Sequence, residues 1–349
     1  MLRKFAAIIL TLVAVLAAGW FALKRPDIPY ETLESSYTLP ESQFLTVSGD
    51  IKLHYTDTGP RDAPVVVLVH GFAASLHTWQ PWRKTLENSY RVITLDLPGH
   101  GLSRVSDDHP VSIDYYVDTV EAVTRKLKVD QFSLAGSSMG GNVAWQYALA
   151  HPDQLVSLIL VDASGWPDAN QGDDPLVFRL LRIPLARILM KDLDLSGLIE
   201  GGLRDSFANP DLVSQDMVER YTAMSRAPGH RDAMLRLMAG SNSRVKASKQ
   251  RLADIRVPTL ILWGKQDNLI PVGDAARFEA ALPNAVAITY PDAGHIPQEE
   301  VADESASDVR AFLDRHAAVS PAMSTDAVAT PVSETAQTGN ATGGGLRPR

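Results

Sequence analysis

Short apolar runs recur along the middle of the chain, and several are separated by stretches whose apolar positions fall three and four apart. Residues 44–47 and 51–58 flank Ser48-Gly49-Asp50, which is a hairpin signal. Residues 65–70, 92–95, 132–135, 155–161, 259–263 and 285–290 are continuous runs rich in β-branched and aliphatic side chains. Such runs suit strands of a parallel sheet covered on both faces. Helical patterns occupy 113–128, 141–150, 274–282 and 297–315. Strand alternating with helix predicts an α/β sheet wound on both faces, with no internal repeat.

One interval departs from this rhythm. From about 164 to 250 the chain reads as short helices broken by Gly and Pro, following the strand at 155–161. An insertion there would lie over the carboxyl ends of the strands, where open α/β sheets bind ligands, so it is expected to form a lid. Met190, Met217, Met224, Met234 and Met238 fall within it. They suit either an adaptable apolar binding surface or ordinary core filling. Arg179, Arg182, Arg187 and Lys191, set among Phe178, Leu181, Ile183, Ile188 and Leu189, form either a basic amphipathic face toward lipid or a merely solvated one.

The two ends differ from the middle. Residues 5–23 are 19 positions without a charge, preceded by Arg3 and Lys4 and followed by Lys24 and Arg25. At 1.5 Å per residue this run matches a hydrocarbon core of about 30 Å. It outlasts a signal-peptide apolar region, although Val15-Leu16-Ala17 offers a weak cleavage site. Trp20 and Phe21 are interfacial in type. The expectation is a membrane anchor over residues 1–25 with the following domain outside the cytoplasmic membrane; the alternative is secretion after cleavage. Residues 317–349 are rich in Ala, Ser, Thr, Pro and Gly without an aromatic residue and are expected to be disordered. The glycosylation triplet at Asn340 lies in that tail and reads as chance.

Composition narrows the chemistry. A net charge of −8 over 349 residues gives no footprint for nucleic acid. The absence of cysteine removes disulfides, thiolate nucleophiles and cysteine-held metal centres.

Gly136-Ser137-Ser138-Met139-Gly140 matches G-x-S-x-G, with Ser138 central. At ordinary Gly and Ser frequencies such a pentapeptide arises by chance in about one chain in ten of this length, so the match is weak alone. Here a strand runs into it and a helical pattern leaves it, the context of a strained turn that exposes a nucleophile. Side chains at 136 and 140 would collide with the backbone there. A serine hydroxyl needs a base, and the base needs an orienting acid. In the chain order Ser, acid, His, the loops after the last two strands supply Asp267, within Gly264-x-x-Asp267-x-x-x-Pro271, and His295. Asp162, at the end of an earlier strand, is the rival acid, and Asp292 is too near His295 in sequence. His54, His77, His109, His151, His230 and His316 are expected at the surface or at helix ends. The backbone N–H groups of Met139 and Phe72, the latter following His70-Gly71, are the candidate oxyanion donors.

The segments LVHGFAASLHTW, LDLPGHGLS, LAGSSMGGNVA, LWGKQDNLIP and DAGHIPQEE, in that order over about 44–315, resemble the successive motifs of the α/β-hydrolase superfamily. Within it the chain is similar to membrane-anchored monoacylglycerol lipases and small-cap bacterial lipases and esterases. The resemblance implies an α/β-hydrolase fold: a mostly parallel eight-stranded sheet flanked by helices, with a helical cap after strand 6. It implies Ser138 as nucleophile, Asp267 as acid, His295 as base, Phe72 and Met139 as oxyanion donors, and Gly136 and Gly140 as the glycines of the nucleophile turn. A Ser nucleophile departs from the Asp of haloalkane dehalogenases and epoxide hydrolases.

The expected organisation is an anchor at 1–25, core at 40–163, cap at 164–250, core again at 251–316 and a tail at 317–349. The expected activity is hydrolysis of lipid-like acyl esters or monoacylglycerols, with no cofactor, no metal and no nucleic-acid partner. A carbon-carbon bond hydrolase, a cofactor-free perhydrolase and a non-catalytic receptor are the alternatives. Asp96 and His100 are read as a structural turn, and Trp79 and Trp82 as packing under the lid or against the sheet.

Overall fold

The computed structural model describes residues 2–48, 51–105, 109–167, 176–240 and 245–316. The expected tail with Asn340, the residues Gly49 and Asp50 of the hairpin turn, and the Phe178 side chain lie outside the described residues.

Eight strands form one sheet: β1 (Ser42–Ser48), β2 (Ile51–Thr58), β3 (Val65–Val69), β4 (Arg91–Leu95), β5 (Phe132–Ser137), β6 (Leu155–Val161), β7 (Thr259–Gly264) and β8 (Ala285–Tyr290). Their spatial order is β1-β2-β4-β3-β5-β6-β7-β8. β1 pairs antiparallel with β2, in a register that sets Phe44 opposite His54, and β2 pairs antiparallel with β4; every other pairing is parallel. The continuous apolar runs have their explanation in the two faces. Val67 and Val69 of β3 enter one core and Val66 and Leu68 the other, and Leu134 and Ala135 of β5 divide likewise. Alternate residues of one strand therefore serve opposite faces, and none can be polar without cost.

The helices are α1 (Leu2–Leu23), α2 (Tyr30–Tyr37), α3 (Gln80–Leu86), α4 (Ile113–Lys126), α5 (Met139–Ala150), α6 (Leu176–Leu181), α7 (Pro184–Met190), α8 (Ser196–Asp205), α9 (Gln215–Ser225), α10 (His230–Ala239), α11 (Lys249–Leu252), α12 (Gly273–Ala281), α13 (Pro297–Glu300) and α14 (Ala302–His316). The first core holds Val117 and Val120 of α4, Val143 and Tyr147 of α5 and Phe278 of α12, and the second holds Trp82 of α3 and Phe312 of α14. Trp79 and Trp82 thus pack on the sheet side, and the Trp82 indole N–H donates to Ser305 Oγ at 2.9 Å. The single helix expected over 297–315 is two, broken at Val301. Helices α6 to α11 lie in the interval between β6 and β7.

The expected membrane anchor is not supported: among the described residues no helix is long and apolar enough to cross a membrane. α1 is helical, but the side chains at 1–3, 6 and 13 are not among those described. Its carboxyl end is engaged with protein. Trp20 Nε1 donates to the Leu189 carbonyl at 2.7 Å, and Lys24 and Arg25 pair with Asp192 and Asp194 at 3.2 and 3.1 Å.

Of the histidines expected at the surface or at helix ends, His230 does open α10 but is buried, and His54, His77 and His109 are buried rather than at the surface. Local polar partners make this possible, which a sequence window does not display. His77 Nε2 donates to the Tyr37 carbonyl and its Nδ1 accepts from Ser75 Oγ, and His230 contacts Tyr30 and the Met224 and Ser103 carbonyls. Burial holds the imidazoles of His70, His100 and His230 below their ordinary range and that of His77 at about 4. An unfolded chain protonates these groups below about pH 6.5 while the folded chain does not. Stability is therefore expected to be level above neutrality and to fall as pH drops below 6.5, by up to about 1.4 kcal/mol per pH unit for each histidine. Thermal unfolding followed from pH 8 to pH 5 checks this; an unchanged midpoint between pH 7.5 and 5.5 would contradict it.

Candidate active site

β5 ends at Ser137 and α5 begins at Met139, which leaves Ser138 to make the whole reversal at φ 54°, ψ −115°. That conformation lies outside the ordinary regions for an L-residue and costs about 1–3 kcal/mol. Its neighbours hold it. Ser138 N donates to the Val161 carbonyl at 2.8 Å, and the Ser138 carbonyl accepts from Asn142 N and Ser164 N at 3.1 and 3.0 Å. A Cβ at Gly136 would strike the Gly140 carbonyl, and one at Gly140 would strike the Val69 carbonyl of β3. Two glycines are what lets α5 leave the sheet at this angle.

On the loops after β7 and β8, His295 Nδ1 meets Asp267 Oδ2 at 2.8 Å, both side chains nearly or fully buried. Asp267 Oδ1 accepts from Leu269 N at 2.7 Å and Ile270 N at 2.9 Å, so the carboxylate is held by its own loop. With Nδ1 donating, Nε2 is left as the proton acceptor. A Cβ at Gly264 would strike the Gly294 carbonyl, so the two loops carrying Asp267 and His295 approach as closely as glycine permits. His295 N donates to the Ser206 carbonyl at 2.7 Å, tying this loop to the end of α8.

Ser138 and His295 line one cavity of about 370 Å³, together with Phe72. No Ser138–His295 hydrogen bond is among the described contacts, and such contacts in unliganded sites often close only with substrate bound. The Phe72 and Met139 backbone N–H groups donate to no protein group among the described residues, and Met139 opens a helix, where the first N–H groups have no partner within it. The rest of the wall is mostly apolar, with Leu181, Met190, Leu198, Ile199, Met234 and Met238, and its polar groups include Thr78, Tyr221, Arg231 and Gln298. The methionines divide accordingly. Met217 and Met224 pack in separate apolar clusters and do not line the cavity themselves.

Asp96 and His100 do not line the cavity. The Asp96 carboxylate accepts from Leu76 N at 2.6 Å, Leu102 N at 2.8 Å and His54 Nδ1 at 2.7 Å, which makes it the organiser of the turn. Burial raises its pKa, but His54, His70 and Leu102 N outweigh that and hold it well below the usual carboxylate range. Ser42 Oγ lies 2.6 Å from His54 Nε2, so Ser42, His54 and Asp96 form a second Ser-His-Asp chain. It opens on no cavity described here, and Ser42 Oγ already accepts from Leu39 N at 2.8 Å.

Two polar residues of the site escaped the sequence reading. Gln298 Nε2 donates to Thr78 Oγ1 at 3.1 Å and to Ser137 Oγ at 3.3 Å, so Ser137 ties the turn to α13 by a hydrogen bond. Glu300 accepts from Gly294 N, Ala208 N and Asn209 N at 2.7, 3.0 and 2.7 Å, clamping the histidine loop to the segment after α8. Both sit within five residues of His295, in the segment IPQEE, but nothing in their spacing marks a clamp. Asp162, Asp267 and His295 also bring oxygen and nitrogen atoms within 4.8 Å of one another. Asp162 Oδ1 accepts from Gly264 N and Asp267 Oδ2 from His295 Nδ1, while Asp162 Oδ2 receives no donor among the described residues.

The family model of the alpha/beta hydrolase fold matches residues 64–302. The dihydrolipoyllysine-residue acetyltransferase component of the acetoin cleaving system of Cupriavidus necator is 31% identical over 284 residues, 78% of this chain and 68% of that protein. The monoacylglycerol lipase ABHD6 of Bos taurus is 29% identical over 259 residues, 70% of this chain and 74% of that one. Among solved structures, a candidate lipase (lip1) of Acinetobacter baumannii superposes with a TM-score of 0.67 at 27% identity, covering 83% of this chain and 97% of the other.

Proposed function

The chain belongs to the alpha/beta hydrolase fold family, and within it we propose a serine hydrolase of carboxylic esters that carry one lipid-like acyl chain. The observation that carries this reading is the joint opening of Ser138 and His295 onto a cavity whose remaining wall is largely aliphatic and thioether. Ser138 Oγ attacks the ester carbonyl while His295 Nε2 takes its proton, and the same proton passes to the departing alcohol. Asp267 keeps His295 in the tautomer that allows this. The oxyanion of each tetrahedral intermediate is received by the N–H groups of Phe72 and Met139. Water, deprotonated by His295, then releases the acid.

We take the helices at 164–250 as the cap that shapes the acyl site, with the core on either side at 40–163 and 251–316. A volume of about 370 Å³ is at the small end of ligand pockets, about 300–1,000 Å³, and favours one chain over two. Each buried methylene contributes about 0.8 kcal/mol, or roughly fourfold in binding. In a series of monoacylglycerols and simple esters, kcat/KM is accordingly expected to climb by up to about fourfold per methylene and then to level once the cavity is full. Filling the cavity with Met234→Trp should move that break to shorter chains. A flat series, indifferent to Met234→Trp, would overturn the lipid-like substrate.

Cleavage of a carbon-carbon bond in a vinylogous diketo acid is the competing reading. Such an acid asks for a free cation, and Arg231, the arginine lining the cavity, is already committed to Asp27 at 2.6 Å and to the Arg25 and Leu193 carbonyls. Turnover of the diketo acid in preference to esters would reverse the assignment.

Membrane attachment through residues 1–25, with the domain outside the cytoplasmic membrane, belongs to the proposal on the uncharged run at 5–23 and on the exposure of Phe5, Leu10, Leu16 and Phe21. Fractionation tests it: the full chain should sediment with membranes and a chain beginning at residue 26 should not. Recovery of both in the soluble fraction would remove the anchor.

A further inference from the structure

Asp162 directly follows β6, its backbone at φ 42° and its side chain without solvent exposure. One oxygen has a donor: Oδ1 accepts from Gly264 N at 3.0 Å. The other, Oδ2, is buried and receives no donor among the described residues. Asp267 is within hydrogen-bonding reach, and the reactive atoms of Asp162, Asp267 and His295 fall within 4.8 Å. Among the described residues, the charged and titratable groups facing Asp162 are Asp267 on the loop after β7, Tyr290 at the end of β8, His295 on the loop after β8 and Glu300 on α13. None is a lysine or arginine.

Two buried carboxyl groups this close do not both ionise when a single imidazole faces them, so one keeps a proton. The donors decide which. Asp267 accepts from Leu269 N, Ile270 N and His295 Nδ1, all of which favour its anion. Glu300 accepts from three backbone N–H groups. Asp162 has the one donor from Gly264.

We infer that Asp162 is a neutral carboxylic acid whose Oδ2–H donates to the Asp267 carboxylate, making it a positioning residue for the Asp267–His295 pair. Burial first, and the Asp267 charge second, push the Asp162 carboxyl well above the usual carboxylate range, in keeping with this. The hydrogen bond adds a fourth donor to the three that Asp267 has from Leu269 N, Ile270 N and His295 Nδ1 and tempers its basicity, and through it that of His295. The inference rests on the hydrolase reading only for its kinetic test.

That test uses the full chain with Asp162→Asn and Asp162→Ala, reading the pH profile of kcat/KM on a short ester. The amide of Asp162→Asn still donates to Asp267, so the acidic limb should stay in place and activity within about threefold of the parent. Asp162→Ala removes the donor from an anion, so Asp267 and His295 become more basic. Its acidic limb should move up by about half to one pH unit, and kcat/KM should fall about tenfold. If both variants move the limb down, Asp162 was ionised; if neither moves it, the residue is structural. Either result overturns the inference. An infrared difference spectrum provides a readout independent of turnover and of the alanine variant's folding: the carbonyl stretch of a buried carboxylic acid should be present in the parent and lost in Asp162→Asn, and its absence from the parent also overturns the inference. Loss of the hydrolase reading would be visible separately, as activity that survives Ser138→Ala.

Discussion

Ser138→Ala is expected to end covalent labelling by a fluorophosphonate and to lower kcat/KM on esters by roughly 10⁴- to 10⁶-fold, about 5–8 kcal/mol of transition-state stabilisation. The size follows from the proposed role, since without Oγ there is no acyl-enzyme and only bound water remains to attack. The substitution is conservative toward the fold. Alanine meets the same strain at φ 54° as serine, and the hydrogen bonds that hold the turn come from the backbone N and O of residue 138. The melting temperature should therefore stay within a few degrees of the parent, so that lost labelling reports chemistry rather than unfolding. Labelling that persists would sink the assignment and direct attention to Ser42, whose hydroxyl lies 2.6 Å from His54 Nε2.

Asp267→Asn should lower kcat by about 10³- to 10⁴-fold with little change in KM. The amide keeps the size of the side chain, but its NH₂ can replace the acceptor that His295 Nδ1 needs. The imidazole then turns the wrong nitrogen toward Ser138, and the imidazolium that forms during attack loses its counter-charge. Retention of activity within about tenfold would mean that another carboxyl supports His295. Asp162 is the group in range, and the double variant with Asp162→Asn would then be the decisive comparison.

How much of this was legible beforehand depends on how local the cause is. The strands, their buried character and the glycine-framed Ser138 are written in neighbouring residues, because backbone geometry and two-sided burial constrain each position through its immediate surroundings. The order of the loops bearing Asp267 and His295 was likewise readable, since each follows a recognisable strand. The histidines show the opposite case. His54 and His230 look like surface residues because their partners, Asp96 and Tyr30, lie 42 and 200 positions away.

The site's supporting contacts belong to the same class. Gln298 reaches Ser137 across 161 positions, and Glu300 reaches Ala208 across 92. α1 shows a further limit: hydrophobic length suggested an anchor, while only the folded chain shows Lys24 and Arg25 paired with Asp192 and Asp194.

The sequence by itself determined the sheet, the interval between β6 and β7 that departs from it, and the position of the sharp turn, because these follow from periodicity and from the steric need for glycine. The tertiary structure alone decided that Asp267 meets His295 while Asp162 stands behind it, and which methionines face the cavity. Those are questions of distance between loops remote in the chain, and distance is set by how β6, β7 and β8 pack side by side rather than by any residue's neighbours in sequence.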